Sequence, residues 1–340
     1  MLVSYRRWHF APSILIGNSN MINATLALFS LLSLAGPAQP QATPQVRVFL
    51  YLGDVFEITG ADQSFVADVF MAARWNDPTL AGDHVGSRTL DLEDVWHPIL
   101  VVVNERGADR SLPEVVNVDP DGNVQYTVRL TGRFSATMNL KDFPLDRQEF
   151  NVWVIAPVLG GNRIDLVPDT TATVLRNDEL SISDWTLGEP QLVVKEFLAT
   201  PQSGPLQGVA LVIEAKRKAG YYIIQVLIPL IAIVLMAWTV FWIDPSVVPT
   251  RVGVVVSTML TLIAYRFMLG NLVPKLSYLT RLDYFMLGTT SIVVLTLFVM
   301  AGASYLRTQG KDGIVTRIDR VGRVAFPLVF ATFTALVWFA

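Results

Sequence analysis

Polar side chains interrupt an otherwise apolar segment of helical length in the C-terminal half of this chain. The segment spans residues 249–271, and its polar members are Arg251, Ser257, Thr258, Thr261, Arg266 and Asn271. Ionisable and hydroxyl groups at membrane depth usually face protein or a water-filled cavity. The pattern therefore predicts a helix that lines a polar pathway. The alternative is a buried helix whose Ser and Thr hydroxyls bond back to their own backbone.

Groups that could catalyse a reaction are sparse by comparison. Carboxylates cluster at residues 91–94 and 119–121, but both clusters lie in turn-like sequence, where Asp accepts local backbone hydrogen bonds. With 0 Cys and only 3 His, thiolate chemistry is excluded and a histidine zinc site is disfavoured. No phosphate loop or nucleophile elbow occurs. We therefore expect a protein that is not an enzyme and needs no cofactor or metal.

The charges that surround these residues divide the chain into two parts. Most of the 26 Lys and Arg and 29 Asp and Glu residues precede Ala219, and the remainder of the chain is largely apolar. A hydrophobic content of 52% exceeds that of an ordinary soluble domain, so part of the chain should lie in lipid. The net charge of -3 is too small to suggest a nucleic-acid partner.

The apolar part, residues 218–340, is predicted to be a transmembrane domain of four helices. Their expected bounds are about 219–243, 249–272, 280–306 and 320–340. The basic linker between the third and fourth helices fits the cytoplasmic side, and an even number of spans returns the C-terminus outward.

The polar part is predicted to be exported. Residues 1–38 have the basic start, short apolar stretch and small residues of a signal peptide, although a short anchoring helix is the alternative. Residues 45–217 consist of short runs rich in Val, Ile, Phe and Thr between turn signals. The expected fold is an extracellular immunoglobulin-like β-sandwich of roughly ten strands, followed by the four-helix membrane bundle.

Several motifs resemble those of one family. Met138–Phe150 is similar to the loop for which the Cys-loop receptors, the pentameric ligand-gated ion channels, are named. Ala136 and Phe150 stand where animal members have the two cysteines, so the chain resembles the cysteine-free prokaryotic form. We expect Phe150 to replace the cross-link by packing against the sandwich. Weaker similarities occur at 75–80 and 95–98, and the resemblance covers residues 45–340.

The resemblance implies a homopentamer in the bacterial plasma membrane, with the second helix of each subunit lining a central pore. It also implies a small-molecule or proton agonist, permeant inorganic ions and a surrounding of membrane lipid. The predicted pore face has steps of four or three residues, as a helix stripe requires: Pro249, Gly253, Ser257, Leu260, Ala264, Phe267 and Asn271. We expect the gate at Leu260, where an apolar ring can dewet. The alternative is that Leu260 and Phe267 pack between helices.

Ion selectivity is predicted from the inner end of this helix. Cation-conducting members have a Glu before the basic residue, but here Thr250 stands between Pro249 and Arg251, as in anion-conducting glycine and GABA receptors. An inner mouth without carboxylates, with Arg251 nearby and helix termini contributing, would favour anions, so we expect an anion channel selective for chloride. A cation channel of the same family is the alternative if Asp244 approaches the mouth, and a non-conducting membrane-anchored binding receptor is the alternative from another class.

The family's agonist site lies between subunits and is often boxed by aromatic side chains. The resemblance places Phe70, Thr127, Arg129 and Phe197 at this site. An Arg can hold a ligand carboxylate, and an aromatic face can hold an ammonium group.

Residues at the membrane face of the sandwich are expected to couple agonist binding to the pore. The matching positions are Asp62, Asp146, Arg217, Pro274 and Lys275. We expect a charge-assisted pair between Asp146 and Arg217. The alternative is that Arg217 only snorkels to the membrane surface.

Overall fold

The computed structural model describes five ranges of the chain, and it contains a β-domain followed by a helical domain. These ranges are residues 43–82, 85–158, 163–198, 204–270 and 276–339. The predicted signal peptide at 1–38 lies outside them, and so do three predicted site residues: Asn271, Pro274 and Lys275.

The β-domain is a sandwich of two sheets, and its described residues form twelve strands rather than about ten. In chain order the strands are β1 (Gln45–Thr59), β2 (Ser64–Asn76), β3 (Arg88–Asp91), β4 (Val101–Val102), β5 (Glu105–Ser111), β6 (Val115–Val118), β7 (Asn123–Ser135), β8 (Arg147–Ile155), β9 (Asp165–Pro168), β10 (Trp185–Leu187), β11 (Gln191–Leu198) and β12 (Pro205–Arg217). One sheet has seven strands in the order β3-β6-β7-β2-β1-β9, with β5 also paired to β7. The other has five in the order β10-β12-β8-β4, with β11 also paired to β12.

The sandwich core follows the alternation of apolar residues along the strands. In β1, Val46, Val48, Leu50 and Leu52 are fully buried, and the residues between them are exposed or half-buried. This period of two places one face of each strand against the facing sheet. Phe150 is buried with its ring centroid 5.2 Å from that of Phe65, so its expected packing against the sandwich is observed.

Four helices follow the sandwich, and each is long and apolar enough to cross a membrane. They are α1 (Gly220–Trp242), α2 (Val248–Leu269), α3 (Arg281–Thr308) and α4 (Asp312–Phe339). The sandwich-plus-bundle fold class predicted from the sequence is thus confirmed.

The start of α4 differs from the prediction. The helix begins at Asp312, eight residues before the expected position, in a stretch that its charges had indicated to be a linker. Val315 and Asp319 are buried, whereas Lys311, Arg317 and Arg320 are exposed. The stretch is therefore an amphipathic extension of the helix, with its charges distributed around a buried edge.

Candidate functional site

Helix α2 has two different faces. Val255, Thr258, Leu262 and Leu269 are buried against the rest of the bundle. The described members of the predicted pore face are all exposed in the single chain: Pro249, Gly253, Ser257, Leu260, Ala264 and Phe267. Leu260 is 63% exposed and Phe267 is 79% exposed, so neither packs against another helix of the same subunit. These exposed residues form a ridge along α2, and because no residue that the structure describes covers it, the ridge faces lipid, water or another chain.

The threonines of α2 do not all belong to the exposed face. Thr258 is fully buried, and its hydroxyl donates to the Val254 carbonyl oxygen at 2.8 Å. Thr261 is exposed and donates to the Ser257 carbonyl oxygen at 2.9 Å. The predicted alternative, in which hydroxyls bond back to their own helix, therefore describes both of these threonines. Ser257 remains as the hydroxyl residue within the exposed face.

Arg251 requires a correction, because it does not face the same way as Pro249 and Gly253. It is buried, and its Nη2 donates to Oδ1 of Asp319 in α4. Among the described residues, Arg251 Nε and Asp319 Oδ2 have no hydrogen-bond partner. The sequence-based expectation that Arg251 adds positive charge to an inner mouth is therefore wrong for this geometry: its charge is compensated by Asp319 within the bundle.

Acidic side chains are absent from the first turn of α2, at the inner end of the helix. The first turn of the helix contains Pro249 and no Asp or Glu. Asp244 lies in the preceding turn, where it is exposed and its Oδ1 accepts a hydrogen bond from Ser246 N at 2.7 Å. Hydrogen bonds from the Ser246 backbone and side chain hold the pKa of Asp244 below its ordinary value. Asp244 is therefore a fixed negative charge beside this end of the helix.

Asp146 and Arg217 form a buried ion pair at the membrane-facing end of the sandwich. Arg217 Nε lies 2.8 Å from Asp146 Oδ1, and Nη2 lies 3.2 Å from Oδ2, which is the bidentate arrangement. Gln148 Nε2 also donates to Oδ2 at 2.8 Å. The guanidinium carbon lies 4.2 Å from the ring centroid of Trp185 and 5.0 Å from that of Phe143. Arg217 therefore does not snorkel.

The loop that contains Asp146 also contacts the start of α3. The Leu140 N–H donates to the Tyr278 hydroxyl at 3.0 Å, and the Arg281 N–H donates to the Lys141 carbonyl oxygen at 2.8 Å. Arg281 Nε lies 2.7 Å from Oδ1 of Asp142. The sequence pattern gave no indication of Arg281 or Tyr278, because both partners are more than 130 residues away in the chain.

Asp62, the remaining described member of the predicted coupling set, is in the turn between β1 and β2 and contacts arginines other than Arg217. Its carboxylate lies 3.5 Å from Arg133 Nη1, and its carbonyl oxygen accepts a hydrogen bond from Arg106. All three of these residues belong to the turn and strands at one end of the seven-stranded sheet.

The four predicted agonist residues lie on two different sheets. Phe70, Thr127 and Arg129 are on β2 and β7 of the seven-stranded sheet, and Phe197 is on β11 of the other. Arg129 is not free, because its Nε and Nη2 donate to the two oxygens of Asp68 at 2.8 Å and 2.9 Å. A ligand carboxylate would have to displace or share that partner.

Trp153 is an aromatic residue that the sequence reasoning missed at this site. Its ring is perpendicular to that of Phe197, with centroids 5.3 Å apart. Residues 149, 151 and 153 of β8 alternate with buried neighbours and so face away from the core. This alternation is the signal in the sequence that could have identified Trp153.

The chain has a β-sandwich followed by four membrane helices, and the second helix has an exposed face. This is the architecture of a multi-pass membrane receptor or channel. Two family models match the chain: the neurotransmitter-gated ion-channel ligand binding domain over residues 32–203 and the neurotransmitter-gated ion-channel transmembrane region over residues 226–313. The chain belongs to this family of ligand-gated ion channels, whose members are channels rather than enzymes. Its ligand-binding domain is extracellular and its helices lie in the membrane.

The chain is also similar to a channel from Gloeobacter violaceus described as a proton-gated ion channel. The two are 25% identical over 289 residues, which is 84% of this chain and 80% of the relative.

Proposed function

We propose that five copies of this chain assemble around an axis, with α2 of each subunit lining a central pore. The observation that carries this proposal is the exposed ridge of α2, which turns away from the helices of its own subunit. One helix cannot enclose a pore, whereas cyclic symmetry turns each residue of the ridge into a ring. The ridge would then be covered by its own symmetry copies or by water instead of lipid.

The rings of this pore change character along the axis. Gly253 and Ser257 would form a small, polar inner section, and Leu260 and Phe267 would form apolar rings beyond it. A narrow apolar ring closes a pore by excluding water without blocking it sterically. We assign the gate to Leu260.

We propose anion selectivity, now without a contribution from Arg251. Two features support it: the absence of an acid in the first turn of α2 and the orientation of that helix, whose positive N-terminal end lies at the inner mouth. The cation-selective alternative rests on Asp244, because an exposed fixed negative charge precedes that turn.

For the agonist, we propose protons, on the strength of the description of the Gloeobacter relative. Two carboxylates of the sandwich are poor candidates for the proton sensor. Desolvation raises the pKa of Asp169, but hydrogen bonds from Thr171 and the charge of Arg74 outweigh it and lower the pKa overall. Desolvation also raises the pKa of Asp54, but hydrogen bonds from Ser181 outweigh it and lower the pKa overall. Both stay ionised in mild acid. A small ligand at Trp153 and Phe197 is the second candidate, supported by their aromatic contact.

The test is the Leu260→Ser variant, reconstituted in a planar bilayer under a potassium chloride gradient. A hydroxyl in the gate should favour wetting and so increase the open fraction, and the current should reverse near the chloride equilibrium potential. Ile263→Ser is the matched control, because Ile263 is exposed on α2 but lies outside the predicted pore face.

Three outcomes would count against parts of this proposal. Reversal near the potassium equilibrium potential would contradict anion selectivity and favour Asp244 as the determinant. Equal effects of the two substitutions would contradict the gate at Leu260. Folded oligomers that pass no current over a wide pH range would favour the non-conducting receptor.

A further inference from the structure

The outer half of α1 is irregular at a proline. Residues Ile223–Leu227 form a π turn, and Pro229 follows directly in the next helical segment. Proline has no N–H, so position 229 cannot donate to the carbonyl oxygen four residues earlier, which belongs to Gln225. Lipid offers no hydrogen bond to a carbonyl left in this way, so a protein group must supply it.

Tyr265 of α2 supplies that hydrogen bond. Its hydroxyl lies 2.9 Å from the Gln225 carbonyl oxygen and 3.0 Å from the Val226 carbonyl oxygen. The residue is adjacent to Ala264 of the exposed ridge, so the contact joins the irregular part of α1 to the pore-facing helix. Among the described residues, these are the side-chain hydrogen bonds that connect α1 to α2.

We propose that Tyr265 is a positioning residue that transmits movement of α1 to the pore helix. The chain leads from Arg217 at the end of β12 to Gly220 at the start of α1, so α1 is the covalent continuation of the strand that ends in the Asp146–Arg217 pair. A π turn and a proline make α1 deformable at one level of the membrane. The tyrosine contact lies at that same level. This inference rests on the proposed role of α2 as the pore lining.

A double-mutant cycle between Tyr265→Phe and Pro229→Ala tests the proposal. Tyr265→Phe removes only the hydroxyl, and in currents activated by lowering the external pH we expect the proton concentration for half-maximal current to change by about five-fold, the equivalent of one net hydrogen bond. The reversal potential should not change. In the Pro229→Ala background, position 229 can donate to the Gln225 carbonyl oxygen, so the same substitution should have little effect.

Tyr305→Phe serves as the matched control. Tyr305 is exposed on α3, and its hydroxyl makes no hydrogen bond to any residue that the structure describes. Its removal should leave the activation curve unchanged. Equal shifts for Tyr265→Phe in both proline backgrounds, or no shift in either, would overturn the proposal.

A second measurement does not depend on conductance or on the proline variant. Hydrogen exchange of the purified protein should be faster in peptides from residues 220–229 for Tyr265→Phe than for Tyr305→Phe, because the π turn loses the hydrogen bonds from the Tyr265 hydroxyl. Unchanged exchange would overturn the contact itself. Faster exchange in a protein that carries no current would instead refute the proposed function and leave the contact standing.

Discussion

Two buried Arg–Asp pairs lie at opposite ends of the membrane domain, and they differ in how completely they are hydrogen-bonded. At the outer end, Asp146 accepts two hydrogen bonds from Arg217 and one from Gln148. At the inner end, Arg251 donates one hydrogen bond to Asp319, and one further polar atom on each side chain has no partner among the described residues.

This difference in hydrogen bonding indicates what each ion pair contributes to stability. A buried ion pair is favourable only when its remaining donors and acceptors are also satisfied. The outer pair meets this condition and adds ring contacts to Trp185 and Phe143, so it should hold the sandwich, the loop and α1 in one arrangement. The inner pair does not meet it, so its main effect is to compensate two charges that helix packing has removed from water.

The largest effect should follow from breaking the outer pair. Asp146→Ala leaves Arg217 buried without its anion, and we expect the free energy of unfolding of the sandwich to fall by about 3–5 kcal/mol. Thermal unfolding of the purified protein measures this. Asp142→Ala is the control, because Asp142 pairs with Arg281 at an exposed position and should cost at most about 1 kcal/mol. Similar losses for the two variants would contradict the comparison.

The second-largest effect should follow from replacing one or both members of the inner pair. Asp319→Leu alone should destabilise the bundle, because it leaves Arg251 without an anion, whereas Arg251→Met combined with Asp319→Leu should recover most of the loss. The corresponding double change at Arg217 and Asp146 should recover less, because Gln148 Nε2 also loses one of its two acceptors and keeps only the Asn139 carbonyl oxygen. Melting temperatures of these three variants, compared with that of Asp146→Ala, test this. Equal recovery of stability by the two double variants would show that the two ion pairs contribute to stability in the same way.

The smallest effect comes from a third pair, Arg74 and Asp169, which lies within the sandwich and has a half-exposed arginine. The pKa of Asp169 is lower in the folded protein than its ordinary value of 3.8. Its contribution to stability is therefore complete above the ordinary pKa and is lost as the pH falls through the lowered pKa.

Urea unfolding at a series of pH values measures this dependence. The difference in stability between the unmodified chain and Asp169→Asn should be constant from neutral pH down to about pH 5 and should decrease below about pH 4. A difference that already decreases near neutral pH would contradict the lowered pKa.

The sequence predicts the features of this fold that depend on local spacing. The alternation of Val46, Val48 and Leu50 indicates a strand, and charge-free stretches indicate the first and third spans. The step of four and three residues along α2 also predicts which side chains share a face. These signals depend on neighbours in the chain.

Contacts between distant residues could not be predicted in the same way. Arg251 and Asp319 are separated by 68 residues, and nothing near Arg251 indicates that it faces α4. The same applies to Tyr265 and the carbonyl oxygen of Gln225, 40 residues away. The early start of α4 was missed because its charges suggest solvent, although one of them is the buried partner of another helix.

The separation of Arg251 from Asp319 also has a consequence for how the protein is made. At roughly 5–20 residues per second, a ribosome needs about 3–14 s to extend the chain over those 68 residues. Throughout that interval the anion of Arg251 has not yet been made, although an unpaired arginine is costly at membrane depth. Nascent chains that end before α4 would keep this charge uncompensated.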